Sequence, residues 1–247
     1  MHVGQLIDEL EHQGQLLARA AARADSAAAV PSCPGWTVAA AVTHTARVHR
    51  RVTAILRGAA EPDAAVRDFR PEPTELEAIY RAGLAELVEV LRRAPDSLTV
   101  PTLWPAPSAR HFWARRQAHE TAIHRVDVEL AAGYGVADFE PELAVDGLDE
   151  LLLHMADRFS ADGLDRSWTI VLTPLDANVS WTVRLGSSGA VTHRDPADRP
   201  DLSVFAPASD LYRWAWNRAG DSEVALRGEL SLADLWHRNF TVRAGRL

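Results

Sequence analysis

Apolar residues recur every three or four positions through four long stretches in the first half of the chain, and breaks rich in proline separate them. That period commits the segment to packed helices, because each stretch has one face that must be covered. Residues 3–23 place Val3, Leu6, Ile7, Leu10, Leu17 and Ala20 on such a face. A break at Pro31–Gly35 is followed by Thr37, a residue type suited to cap a helix. The second helix then carries Val38, Ala41, Val42, Thr45, Val48, Val52 and Ile55 inward. Beyond the loop EPDAAVRDFRPEP, a third helix is predicted from about Thr74 to Arg93, with Leu76, Ile79, Tyr80, Leu84, Leu87 and Leu91 inward. A fourth is predicted from about Arg110 to Ala132, with Gly133 just past its end. Four amphipathic helices in succession imply a helical bundle, taken here to end at residue 138.

The pattern changes over residues 139–247. One more helix is predicted from about Glu142 to Phe159. WTIVLT (168–173) and VSWTVRL (179–185) alternate as strands joined in a hairpin by Pro174–Asn178, and LSVFA (202–206) is another strand. Ser209 is the expected cap of a short helix over DLYRWAWNR, and SLADLWHRNF (231–240) is helical again. The second half thus reads as a small α+β domain.

A net charge of −8 argues against a nucleic-acid partner, which needs a basic face. Every basic residue besides histidine is arginine, so no lysine is present to form a Schiff base or to serve a phosphate loop. The single cysteine, Cys33, excludes an internal disulfide and a zinc site rich in cysteine, and it reads as structural or incidental. No apolar run is long enough to span a bilayer, and the N-terminus lacks a signal peptide's basic start. The expectation is a cytoplasmic protein that does not engage a membrane, as monomer or homodimer.

The chemistry concentrates in QAHETAIHRVD (117–127), which at first sight suggests the H-E-x-x-H motif of zinc proteases. His119 and His124 are one residue too far apart for it; at ~100° per residue they lie about 140° apart and cannot grip one ion. Glu120 and His124, at i and i+4, share a face, with Asp127 between them and Gln117 and Trp113 on the same stripe. A carboxylate and an imidazole one turn apart make half of a metal site, and the other half must come from another helix. The second helix offers His44 at the edge of its apolar face and His49 nearer its middle, and either completes a Glu–His–His set. The plain alternative is a helix-surface pair between Glu120 and His124, stabilised by a few tenths of a kcal/mol.

Two segments add a resemblance. SCPGWTVAAAVTHTARVHRRV is similar to the stretch that opens the second helix in the mycothiol-dependent maleylpyruvate isomerase family, and ARRQAHETAIHRVDVELAAG resembles that family's R-x-x-H-E-x-x-x-H-x-x-D helix. Trp36, His44, Glu120, His124 and Asp127 all fall on the pattern. The resemblance implies a DinB-like four-helix metal-binding bundle followed by a C-terminal domain likened to sterol-carrier proteins. It implies zinc held by His44, Glu120 and His124, with His119 a bystander. It places Asp127 beside the metal, to orient His124 or the incoming thiol or to move a proton. It also implies an arginine in the second domain that binds an acid substrate, for which Arg218 is the candidate.

The activity so implied is zinc-dependent, with mycothiol as cosubstrate and a small acid or electrophile as substrate. The thiolate adds to an activated double bond, the bond rotates, and the thiolate leaves; transfer of the thiol is the related outcome. Two further expectations stand beside it. One is a DinB-like hydrolase using water on the metal, with Asp127 as base. The other is a carrier of apolar ligands, with Trp168, Trp181, Trp214 and Trp216 lining a cavity, against which stands their ordinary use as core.

Overall fold

The computed structural model describes all residues except 157–158, 161–163, 165, 188 and 241–247. The chain divides into two units, Met1–Ala137 and Asp138–Leu247.

The first unit is built on four long helices: α1 (Val3–Arg23), α2 (Val38–Leu56), α3 (Leu76–Arg93) and α4 (Ala109–Ala132). Helices α1 and α2 each pack against both α3 and α4, so each pair of unlike neighbours shares one seam of a square bundle. The seams are the apolar stripes of the sequence: Leu6, Leu10 and Leu17 from α1, Ala41 and Val52 from α2, Tyr80, Leu87 and Leu91 from α3, all buried. Burying each leucine contributes about 1.5–3 kcal/mol. Where α1 meets α3 the approach is closest at Gly14: a Cβ there would strike the Leu84 side chain, and the Tyr80 hydroxyl donates to the Gly14 carbonyl at 3.2 Å.

Capping chemistry sets the helix ends. Thr37 accepts from the Ala40 N–H at 3.2 Å, as expected. Ser108, two residues before the expected start of α4, accepts from the His111 N–H at 3.1 Å. Gly133 ends α4 with φ 72°, a left-handed value that favours glycine. Helix α3 starts at Leu76, two residues later than expected, and the proline-bearing loop before it contains a 3₁₀ turn at Pro62–Val66.

The second unit opens with α5 (Pro141–Asp149), which runs on into a π-helical turn at Glu150–His154. The helix is shorter than the sequence pattern suggested: Met155 closes the turn, and Phe159 instead pairs with Phe240 in an isolated bridge. Residues 157 and 158 of the expected helix lie outside the described residues. The sheet comprises β1 (Trp168–Pro174), β2 (Trp181–Gly186), β3 (Gly189–His193), β4 (Leu202–Ala206) and β5 (Ala225–Gly228), in the order β3-β2-β1-β4-β5. β1 pairs antiparallel with β2, Ile170 opposite Val183, and parallel with β4, Ile170 opposite Leu202. Helix α6 (Ala208–Ala215) lies between β4 and β5 in the chain, and α7 (Ser231–Asn239) follows β5.

Two sequence expectations are corrected here, and the reading of the tryptophans as core is met. Ser209 does not cap α6: Pro207 stands at the cap, and the Ser209 hydroxyl accepts from the Phe139 N–H at 3.0 Å. Helix α6 ends at Ala215 instead of continuing to Arg218, and Asn217 then takes a left-handed φ of 60°. The tryptophans are largely packing: Trp181 and Trp214 are buried with their N–H groups donated to Asp149 and Asp221, Trp216 is buried, and Trp168 is half-buried under Arg166. Among the described residues, no helix is long and apolar enough to cross a membrane.

Candidate metal centre

The site forms where α2 and α4 pack side by side. The α2 stripe buries Ala41 and Thr45, which leaves His44 at its edge, half-buried and turned toward α4. On α4, Glu120 and His124 sit one turn apart on a buried face. One oxygen, Glu120 Oε1, lies 3.1 Å from His44 Nε2 and 3.3 Å from His124 Nε2. Among the described residues these three form the one group of His, Cys, Asp or Glu side chains gathered closely enough for a metal ion, their ligand atoms within 4.8 Å of one another.

The donor set fits zinc. With metal–ligand bonds near 2.0–2.1 Å, ligand atoms around a tetrahedral zinc sit about 3.3 Å apart, close to both separations from Glu120 Oε1. Two imidazoles and a carboxylate leave a fourth position open, the arrangement of catalytic sites. The other carboxylate oxygen, Glu120 Oε2, accepts from the buried Arg116 guanidinium at 2.9 Å, so the side chain is fixed with Oε1 presented to the histidines.

Asp127 does the same for His124. His124 Nδ1 donates to Asp127 Oδ2 at 2.9 Å, which turns Nε2 toward Glu120 and His44. Asp127 is fully buried, and its other oxygen accepts from the Ser32 hydroxyl at 2.5 Å; the Cys33 thiol lies 3.5 Å from Oδ2. Trp36 covers the group: its ring stacks on His124, with centroids 5.8 Å apart and planes at 16°, and tilts against His44 at 4.9 Å.

The electrostatics follow from these contacts. Burial alone would lower the His124 pKa, but the hydrogen bonds to Asp127 and Glu120 on either side of the ring overcome it and raise it to about 9. Burial would raise the Glu120 pKa, yet His124, His44 and Arg116 hold its carboxyl well below the usual range. Glu120 and His124 are therefore an ion pair by these contacts, and Nε2 of His124 could take a metal only after giving up its proton.

His49, the sequence's other candidate, is elsewhere. It is fully buried in the bundle, shares a 2.9 Å hydrogen bond between Nε2 and Thr121 Oγ1, and packs on the Tyr80 ring. Burial pushes its pKa down to about 3, so it is a neutral core residue. His119 is also buried and lies outside the group. Arg218, in the second unit, follows α6, where its Nη1 donates to the Trp216 carbonyl at 2.7 Å. Gln117 is fully buried on the stripe of Glu120 and His124, with neither amide atom hydrogen-bonded.

Residue reading alone missed Arg116, Ser32 and Cys33. Arg116 stands four residues before Glu120, a spacing that flags an ion pair on a helix. Ser32 and Cys33 reach Asp127 from more than ninety residues away, through a turn that no periodicity describes. Cys33 is thus not incidental in position, since its thiol touches the acid behind His124.

Comparison with known proteins accords with this arrangement. The family model described as the mycothiol maleylpyruvate isomerase N-terminal domain matches residues 7–129. The corresponding C-terminal domain model matches residues 142–235. Two crystal structures of mycothiol-dependent maleylpyruvate isomerase, one of a histidine-to-alanine variant, are similar over 93% of this chain and 95% of theirs, each with 14% identity and a TM-score of 0.64. At that identity the likeness speaks for the fold. No curated protein matches the chain in sequence. With both family domains matched in order along nearly its whole length, the chain belongs to the mycothiol maleylpyruvate isomerase family.

Proposed function

We propose that this protein is a zinc-dependent enzyme that uses mycothiol as cosubstrate on a small acid or electrophile. The reaction is cis–trans isomerisation by reversible thiolate addition, as in a maleylpyruvate isomerase, or transfer of the thiol. The observation that carries the reading is the convergence of His44, Glu120 and His124, with ligand atoms within 4.8 Å of one another and Glu120 Oε1 at 3.1 and 3.3 Å from the two imidazoles. When bound there, zinc would supply the acidity that keeps a coordinated thiol ionised near neutral pH.

The chain's own residues have distinct tasks. Arg116 holds Glu120, and Asp127 holds His124, so both ligands are oriented before anything binds. Trp36 lies over both imidazoles and limits access of water. Gln117 is a buried amide on the same stripe as the ligands whose nitrogen and oxygen can still donate and accept. Arg218 is assigned to the substrate carboxylate on the strength of the family resemblance, since a guanidinium can hold a carboxylate by two parallel hydrogen bonds.

The hydrolase reading asks Asp127 to act as base. A fully buried carboxylate that already accepts from His124 and Ser32 is better suited to positioning than to proton transfer, which favours the thiol enzyme. Turnover of maleylpyruvate and related electrophiles, measured with and without mycothiol on zinc-loaded protein, tests the assignment. Activity that requires the thiol is the expected result. Unchanged turnover without it removes the cosubstrate role, and hydrolysis in a thiol-free assay would favour the alternative.

A further inference from the structure

The turn between α1 and α2 is built more tightly than a connection requires. The Val30 N–H donates to the Trp36 carbonyl at 2.9 Å, Cys33 to Val30 at 3.1 Å, and Trp36 to Cys33 at 2.9 Å. Ala29 and Thr37 close it in a bridge, and Gly35 supplies the left-handed φ of 85° that the reversal needs. From this frame three side chains reach His124 or the carboxylate that holds it. Ser32 binds Asp127 Oδ1, Cys33 contacts Asp127 Oδ2, and Trp36 stacks on the ring of His124.

The bond from Ser32 differs in kind from the other two. His124 and Cys33 both meet Oδ2, whereas Ser32 meets the other oxygen, Oδ1. A hydroxyl donating to Oδ1 at 2.5 Å, in the range of a charge-assisted bond, fixes the second oxygen and with it the plane of the carboxylate. That plane sets the direction in which Nδ1 of His124 must donate, and therefore where Nε2 points.

On the reading of His44, Glu120 and His124 as zinc ligands, we infer that Ser32 is a positioning residue of the metal centre, acting through Asp127 to aim His124, and that the 31–36 turn serves as the template of the site. The hydroxyl is the working group. The backbone of the turn holds it in place, and Trp36 restricts the ring it aims.

The test is zinc affinity, measured by competition with a chromophoric chelator, in the full chain and in Ser32→Ala, Ser32→Thr, Ser32→Val, Asp127→Asn and the double variant Ser32→Ala/Asp127→Asn. Circular dichroism of each checks that it folds. Loss of an outer hydrogen-bonding partner of a metal ligand weakens binding by about 10–100-fold, and Ser32→Ala is expected at the lower end of that range. Thr, which keeps the hydroxyl, should bind close to the unsubstituted protein, whereas Val, of the same shape without it, should bind as weakly as Ala. Because Ser32 acts through Asp127, removing it in the Asp127→Asn background should add little further loss. A side chain that merely supported the fold would give independent, multiplying losses, and that outcome overturns the assignment. So does an Ala variant of unchanged affinity, or a Thr variant as weak as Val. Should Ala not fold, the Thr and Val pair decides the matter alone. Absence of zinc binding in the unsubstituted chain is a separate result, and it sinks the zinc reading itself.

Discussion

At the scale of single residues, the centre is a set of buried charges that stabilise one another. Arg116 and Glu120 are buried and paired at 2.9 Å. Arg116→Met is expected to lower the unfolding free energy by about 3 kcal/mol or more, because it leaves Glu120 buried with one oxygen short of a donor. Urea unfolding measures that loss directly. His49 gives a pH signature of its own. Its folded pKa of about 3 lies below the ordinary 6.5, so as pH falls through that window the unfolded chain takes up a proton that the folded chain refuses. Stability therefore declines as pH drops below 6.5, by up to about 1.4 kcal/mol per pH unit from this group. His49→Gln should flatten that part of the slope in urea unfolding between about pH 7 and pH 5. The titratable groups that act on His49, namely Glu120, His124 and His44, are present in both proteins and cancel to first order in the comparison. An equally steep slope in the variant would show that His49 is not held neutral.

At the scale of elements, caps and close approaches decide where helices and strands stop. Thr37→Ala removes the acceptor for the Ala40 N–H at the head of α2 and should reduce stability by about 1 kcal/mol. Gly228, where β5 meets β4, has φ 113°, and a Cβ there would run into the Asp201 carbonyl. Gly228→Ala should lower stability by about 2 kcal/mol or more, readable as a fall in melting temperature. These elements also show how far the sequence could be read. Helices α1, α2 and α3 were legible because each has a long apolar stripe of one period; α4, which is buried nearly all round with many polar residues included, was legible from its length and the glycine past its end, and the pairing of Glu120 with His124 was legible because both lie on that helix. The edge strands β3 and β5 were not: each is short and has no buried residue, so neither carries an alternating apolar face. The end of α5 was misread because Leu151, Leu152 and Met155 keep a helical spacing while the backbone widens into a π turn. The choice of His44 over His49 needed either the family resemblance or the packing of α2 on α4, since helical spacing permits both.

At the scale of the whole molecule, the account is one of a bundle whose second and fourth helices carry a metal centre prepared by buried partners, joined in one chain to a small mixed-sheet unit. Metal and fold are then linked: zinc that binds only the folded chain stabilises it by about 2.7 kcal/mol when present at a hundred times its dissociation constant. Removing zinc with a chelator should lower the melting temperature, and adding it back should restore it. The measurement that bears most directly on the central claim is the metal content of the purified protein by elemental analysis, together with His44→Ala and His124→Ala. The account predicts one zinc per chain, with a sharp loss in both variants that circular dichroism shows to be folded. A protein without zinc that cannot be loaded, or variants that keep their full complement, would contradict it.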